Sequence, residues 1–134
     1  MRSIYKTYFI SAPVKDVYEA WVDNETIVPP AIKLRINATV GGEYRLVSVM
    51  GKESWVMQGF FKEVIPYQKL VYSWQWNNDG HISEITVDFN MTEEGTEITL
   101  LHKNLHSEQA VNMHEQGWDS YIEGFRQLIL ESIQ

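Results

Sequence analysis

Four histidines, His81, His102, His106 and His114, are the side chains in this sequence best suited to chemistry. Imidazole titrates near neutrality, so each could act as a general acid or base or as a metal ligand. His102 and His106 are four residues apart, a spacing that shares one face only on a helix, and helical periodicity begins after them. No His-Glu-x-x-His pattern occurs and the chain has no cysteine, so no metal or other cofactor is expected. Nucleophilic catalysis has no framework either. There is no Gly-x-Ser-x-Gly elbow, and no Ser, His and acid are linked by a recognisable spacing. Acid–base work by a lone group is the remaining chemistry, with His81, Glu53 or His102 as its candidates. No catalytic residue is assigned, and nothing in the sequence requires an enzyme.

The elements that must position these groups follow from periodicity. Ser3 to Ile10 has strand composition, and Ser11-Ala12-Pro13 suits the start of a helix carrying Val14, Val17, Tyr18 and Trp21 on one face. Ile32 to Asn37 is a weaker strand. Alternating segments then follow around Tyr44, Trp55 to Phe61, Leu70 to Trp76, Ile85 to Phe89 and Thr96 to His102, separated by turn residues such as Asn77-Asn78-Asp79-Gly80. From about Ser107 the period becomes helical, with Val111, His114, Trp118, Tyr121, Phe125, Leu128 and Ser132 on one stripe. The order predicts an α+β fold, with a curved antiparallel sheet of six to seven strands around a long C-terminal helix. One or two short helices would follow the first strand.

Five Trp, seven Tyr and five Phe supply large rings that are hard to interdigitate at full density against one helix, so a cavity is expected behind it. The inward set predicted to line it comprises Tyr44, Trp55, Met57, Phe61, Tyr72, Trp74, Trp76, His81, Ser83, Ile85, Val87 and His102 from the strands. His114, Trp118 and Tyr121 complete it from the helix. Gly117 and Gly124, mid-helix, suggest a close approach to the sheet or to this space. An apolar pocket with a few polar groups suits a small hydrophobic molecule, aromatic or lipid-like, bound by a carrier or sensor.

At 134 residues the chain is read as one domain, 1–134. Its formal charge is −7, and such a field repels phosphate backbones, so nucleic acid is not expected as a partner. No apolar stretch approaches the roughly 20 residues of a membrane span, and the N-terminus lacks a signal-peptide core. Neither membrane association nor export is therefore expected, which leaves the cytoplasm. A homodimer is compatible with the sequence.

Several motifs, in order along the chain, resemble one superfamily. They are Ile10-Ser11-Ala12-Pro13-Val14 running to Trp21; Gly41-Gly42-Glu43-Tyr44-Arg45; Gly59-Phe60-Phe61 through Pro66 with Leu70 to Trp74; and Gly95 to His102 with the later Gly117-Trp118. The pattern is similar to the SRPBCC (START-like, birch-pollen-allergen-like) superfamily. Within it, the closest resemblance is to the activator of heat-shock-protein-90 ATPase homologue-like family. The resemblance implies a helix-grip fold over nearly the whole chain. It implies, as alternatives to a binder, a cyclase-, aromatase- or hydrolase-type enzyme using the same cavity, or a module that modulates a chaperone ATPase. Chaperone activators of this family carry an additional N-terminal domain, so the single-domain architecture lends a chaperone partner no support.

Overall fold

The computed structural model describes residues 2–132. Strand β1 (Arg2–Ile10) leads into a short helix, α1 (Val14–Trp21). Six strands follow: β2 (Ala31–Ile36), β3 (Glu43–Met50), β4 (Glu53–Ile65), β5 (Lys69–Trp76), β6 (Ile82–Met91) and β7 (Thr96–Leu105). The last element is α2 (Glu108–Ser132), 25 residues and so about 38 Å long. All strands join one antiparallel sheet in the order β1-β7-β6-β5-β4-β3-β2. The predicted α+β helix-grip architecture is thus present, with seven strands and one short helix after the first.

Two-residue alternation decides the faces. In β6, Ser83, Ile85, Val87 and Phe89 are buried, each separated by a half-buried residue. Curvature comes from irregularities in pairing, one of them between Phe61 and Glu63 in the 13-residue β4. Just before that shift, Gly59 lies against β5 so closely that a Cβ would overlap the Ser73 carbonyl oxygen. A glycine is required there by approach, not by backbone angle.

The two helices begin differently. Pro13 occupies the cap of α1 in extended conformation and makes no side-chain cap bond, so the Ser11 predicted to cap it sits outside the helix. Ser107 does cap α2: its Oγ accepts the Ala110 N–H at 3.0 Å, satisfying one otherwise free donor of the first turn.

Helix α2 lies closest to β1, β7 and α1. Its lower half is pinned there. Arg126 Nη2 donates to the Phe9 carbonyl at 2.9 Å, and Tyr8 donates to Asp119 at 2.8 Å. Trp21 of α1 stacks on Trp118 at 6.2 Å and meets Phe89, Tyr121 and Phe125 edge-on. The buried stripe of α2 is Trp118, Ile122, Phe125 and Ile129. The predicted stripe therefore needs correction in its second half: Leu128 is 37% exposed whereas Ile129 is 3% exposed. Leaning on β1 and α1 turns the helix by about one residue relative to a face aimed at the middle of the sheet. The same lean leaves a gap over β3, β4 and β5. No helix among the described residues is long and apolar enough to cross a membrane.

Candidate functional site

The gap is a cavity of about 330 Å³. Its sheet wall is built by Tyr44, Leu46 and Ser48 of β3, Trp55 and Met57 of β4, and Trp74 and Trp76 of β5. The upper half of α2 supplies Met113, His114, Gln116, Gly117, Trp118, Ser120 and Tyr121. The segment Val28 to Ala31 closes one side. Cross-strand register explains the sheet wall: Tyr44, Leu46 and Ser48 share one face of β3, and Leu46 is paired with Met57, Ser48 with Trp55, and Met57 with Trp76. Pro29, Pro30, Gln116, Gly117 and Ser120 are exposed and mark the mouth. Among the described residues, no Lys, Arg, Asp or Glu lines the cavity.

Of the residues predicted to line a cavity, the structure brings together Tyr44, Trp55, Met57, Trp74, Trp76, His114, Trp118 and Tyr121. The others do not line it. Phe61, Tyr72, Ile85 and Val87 point inward but are packed into solid core, because α1 and the lower half of α2 cover that part of the sheet. Ser83 and His102 are buried behind Trp118. His81 is exposed in the loop before β6, where its ring stacks on His106 at 3.9 Å. Its place in the alternation carried no meaning, since the Asn77-Asn78 turn, with φ of 48° and 55°, takes the chain out of the sheet first. Glu53 is exposed at the start of β4. The Val28-Pro29-Pro30 segment has no periodicity that would mark it as part of the cavity. The one signal pointing to it was Gly124, where a Cβ would strike Val28, so the glycine lets this segment settle on α2.

His102 explains itself. Trp118 Nε1, which can only donate, bonds His102 Nδ1 at 3.0 Å, so Nδ1 carries no proton. His102 Nε2 therefore donates to Ser83 Oγ at 2.7 Å, and Ser83 passes its own hydrogen to the Trp74 carbonyl at 3.2 Å. Every polar atom of this relay is satisfied. Burial, with a smaller effect from nearby His114, pushes His102 down from 6.5 to about 3. It is a neutral pin that orients Trp118, not an acid or base. None of His81, Glu53 and His102 is placed to serve chemistry in the cavity.

His114 is the histidine that lines the cavity. Its Nδ1 donates to the Ala110 carbonyl at 2.7 Å, leaving Nε2 as an acceptor without a partner among the described residues. Burial is the main cause lowering its pKa, and it stays neutral near pH 7. The tyrosines are the second polar group. Burial raises Tyr44, Tyr72 and Tyr121 well above the usual phenol value. Tyr44 stacks on Tyr72 at 4.9 Å; beyond burial, Tyr44 and Tyr121 disfavour ionisation of Tyr72, and Tyr44 that of Tyr121. The Tyr72 hydroxyl, Trp21 Nε1 and Trp74 Nε1 are buried without a full hydrogen bond to any described residue, although Trp21 faces the Tyr72 hydroxyl. A smaller hollow of about 160 Å³ lies beyond His114, bounded by Trp76, Asp79, His106 and Ser107. Among the described residues no three His, Cys, Asp or Glu side chains are grouped to hold a metal ion.

Comparison with known proteins agrees with this architecture. Residues 11–129 match the family model described as Activator of Hsp90 ATPase homolog 1-like protein. Among solved structures, protein CV1439 of Chromobacterium violaceum superposes with a TM-score of 0.85 at 17% identity, covering 95% of this chain and 96% of its own. Protein MLL2253 of Mesorhizobium loti gives 0.84 at 19% identity over 99% of both chains. The AHSA1-like protein of Aeromonas hydrophila gives 0.78 at 19% identity, covering 98% and 94%. At such identities these likenesses establish the fold alone. No curated protein sequence matches the chain significantly.

Proposed function

The chain belongs to the Activator of Hsp90 ATPase homolog 1-like family, and on this scaffold we propose that it encloses a small, mainly aromatic molecule as a carrier or sensor. The observation that carries the proposal is the aromatic wall of the cavity. Trp55 and Trp76 lie 5.5 Å apart, and Trp74, Trp118, Tyr44 and Tyr121 complete it with no charged neighbour. Such walls gain from ring–ring contact as well as from area removed from water. The cavity is roughly twice the ~150 Å³ that accommodates benzene in a dry protein core. Two fused rings, or two linked ones, suit it.

Gly117 offers a test that spares the fold. It lines the cavity on α2, and a Cβ added there meets nothing within 4 Å. Gly117→Leu would fill the space while improving helix propensity by about 1 kcal/mol. N-phenyl-1-naphthylamine, a neutral dye that brightens on leaving water, should bind the wild-type chain and lose at least about tenfold in affinity for the variant. Equal binding by both would place the dye elsewhere and reject the cavity as its site.

A further inference from the structure

Resting on the reading that the cavity holds a small aromatic molecule, we infer that its ligand is uncharged and carries a carbonyl oxygen, which the phenols of Tyr44 and Tyr121 hold by hydrogen bonds.

Charge comes first. With no Lys or Arg in the lining, and an overall formal charge of −7, a buried carboxylate or phosphate would have no counter-ion. Taking an unpaired anion out of water is costly, so an anionic ligand is selected against. A cation would find no carboxylate in the lining, only ring faces, which favour it over an anion but leave the lining's hydrogen-bond donors unmatched.

Hydrogen-bonding polarity decides the rest. Tyr44 stands on the β3 wall and Tyr121 on α2, both lining the same cavity. No hydrogen bond to a described residue occupies either hydroxyl. Trp74, a third lining residue, has an Nε1 donor that is buried and without a partner. Against these donors, His114 Nε2 is the fully buried acceptor of the lining without a partner among the described residues. Buried donors seek acceptors, and a hydrocarbon would leave them unmatched. A ketone or quinone oxygen on a flat ring system answers both demands. The rings meet the tryptophans, and the oxygen's two lone pairs face two phenols, one from β3 and one from α2.

Three naphthalenes of nearly equal shape separate the possibilities by titration calorimetry on the full chain. They are 2-acetylnaphthalene, its alkene isostere 2-isopropenylnaphthalene, and 2-naphthoate. The ketone should bind about tenfold tighter than the alkene, the range of one or two neutral hydrogen bonds, and naphthoate should be weakest. In Tyr44→Phe/Tyr121→Phe the ketone should fall to the alkene's affinity, while the alkene, which also reports an intact fold, is unchanged. Should the double variant not fold, Tyr121→Phe alone carries the test and should cost the ketone severalfold. The inference is overturned if ketone and alkene bind equally to the wild-type chain, if naphthoate binds tightest, or if the ketone preference survives loss of the phenols. Binding of none of the three would instead reject the enclosed-ligand reading itself, and the inference with it.

Discussion

Replacing His102 by Gln should remove a specific part of the acid sensitivity of this fold. In the folded chain both ring nitrogens are committed, Nδ1 to the Trp118 N–H and Nε2 to Ser83, and the residue is 0% exposed. A second proton would have to sit on Nδ1, directly facing another N–H. Burial, with a smaller effect from His114, lowers the imidazole from 6.5 to about 3. The sign follows from comparing the two states. Above pH 6.5 the ring is neutral in both, so the shift contributes nothing. Below it the unfolded chain takes up a proton that the folded chain refuses, and stability falls as pH falls until about pH 3. The slope approaches 1.4 kcal/mol per pH unit, so roughly 2 to 3 kcal/mol should be lost from this site between about pH 6.5 and 4.5. Gln can accept from Trp118 and donate to Ser83 but does not titrate. At about pH 7 the variant should be about 1–2 kcal/mol less stable, because it cannot span both partners as the ring does. On acidification the gap should close or reverse by roughly 2 kcal/mol, since every other titrating group is common to both chains. Urea titrations followed by tryptophan fluorescence, at steps from about pH 7 to 4.5, read this directly. A gap that stays constant with pH would show that His102 takes up a proton in the fold as readily as in the unfolded chain, and the relay would be wrong.

Two structural substitutions give simpler readings. Gly59→Ala puts a methyl group into the Ser73 carbonyl oxygen of the neighbouring strand and should cost about 3 kcal/mol or more, seen as a large drop in Tm; an unchanged Tm would mean that β4 and β5 part more widely at this point. Ser107→Ala removes the cap of α2 and should cost about 1 kcal/mol in a urea midpoint, with Ser107→Asp recovering most of it; equal losses in both variants would show that the hydroxyl is not acting as a cap.

Periodicity made the strands and the long helix legible, because each faces one packed layer and shows it every second or every third to fourth residue. It located Tyr44, Trp74 and Trp118 on inward faces without saying which of them meets packed neighbours and which meets space. That distinction separates Trp76, which lines the cavity, from Tyr72 on the same strand face, which does not. It depends on where α1 and the lower half of α2 press down, a matter of tertiary placement. The choice between Leu128 and Ile129 was hidden for the same reason: both positions fit a helical stripe, and only the position of β1 selects one. His102 illustrates a different gap. Its burial could be read from alternation in β7, but its role required knowing that Trp118 arrives from another element with an N–H to offer. The rim segment Val28 to Ala31 left almost no trace, since loops carry no period.

The lopsided seating of α2 separates two kinds of selection. Ile122, Phe125, Ile129 and the Arg126 bond to β1 hold the lower half, whereas Met113, Gln116, Gly117 and Ser120 of the upper half face the cavity and leave the packed core untouched. On the proposed reading, substitutions in the upper half would reshape what is bound while leaving the folding free energy nearly unaltered. The stability–activity trade-off that constrains sites built into a core is relaxed here. On that reading, a change of ligand would take a handful of tolerated steps and no unstable intermediate. Such freedom would let the sequence of the upper half drift while the backbone keeps its shape.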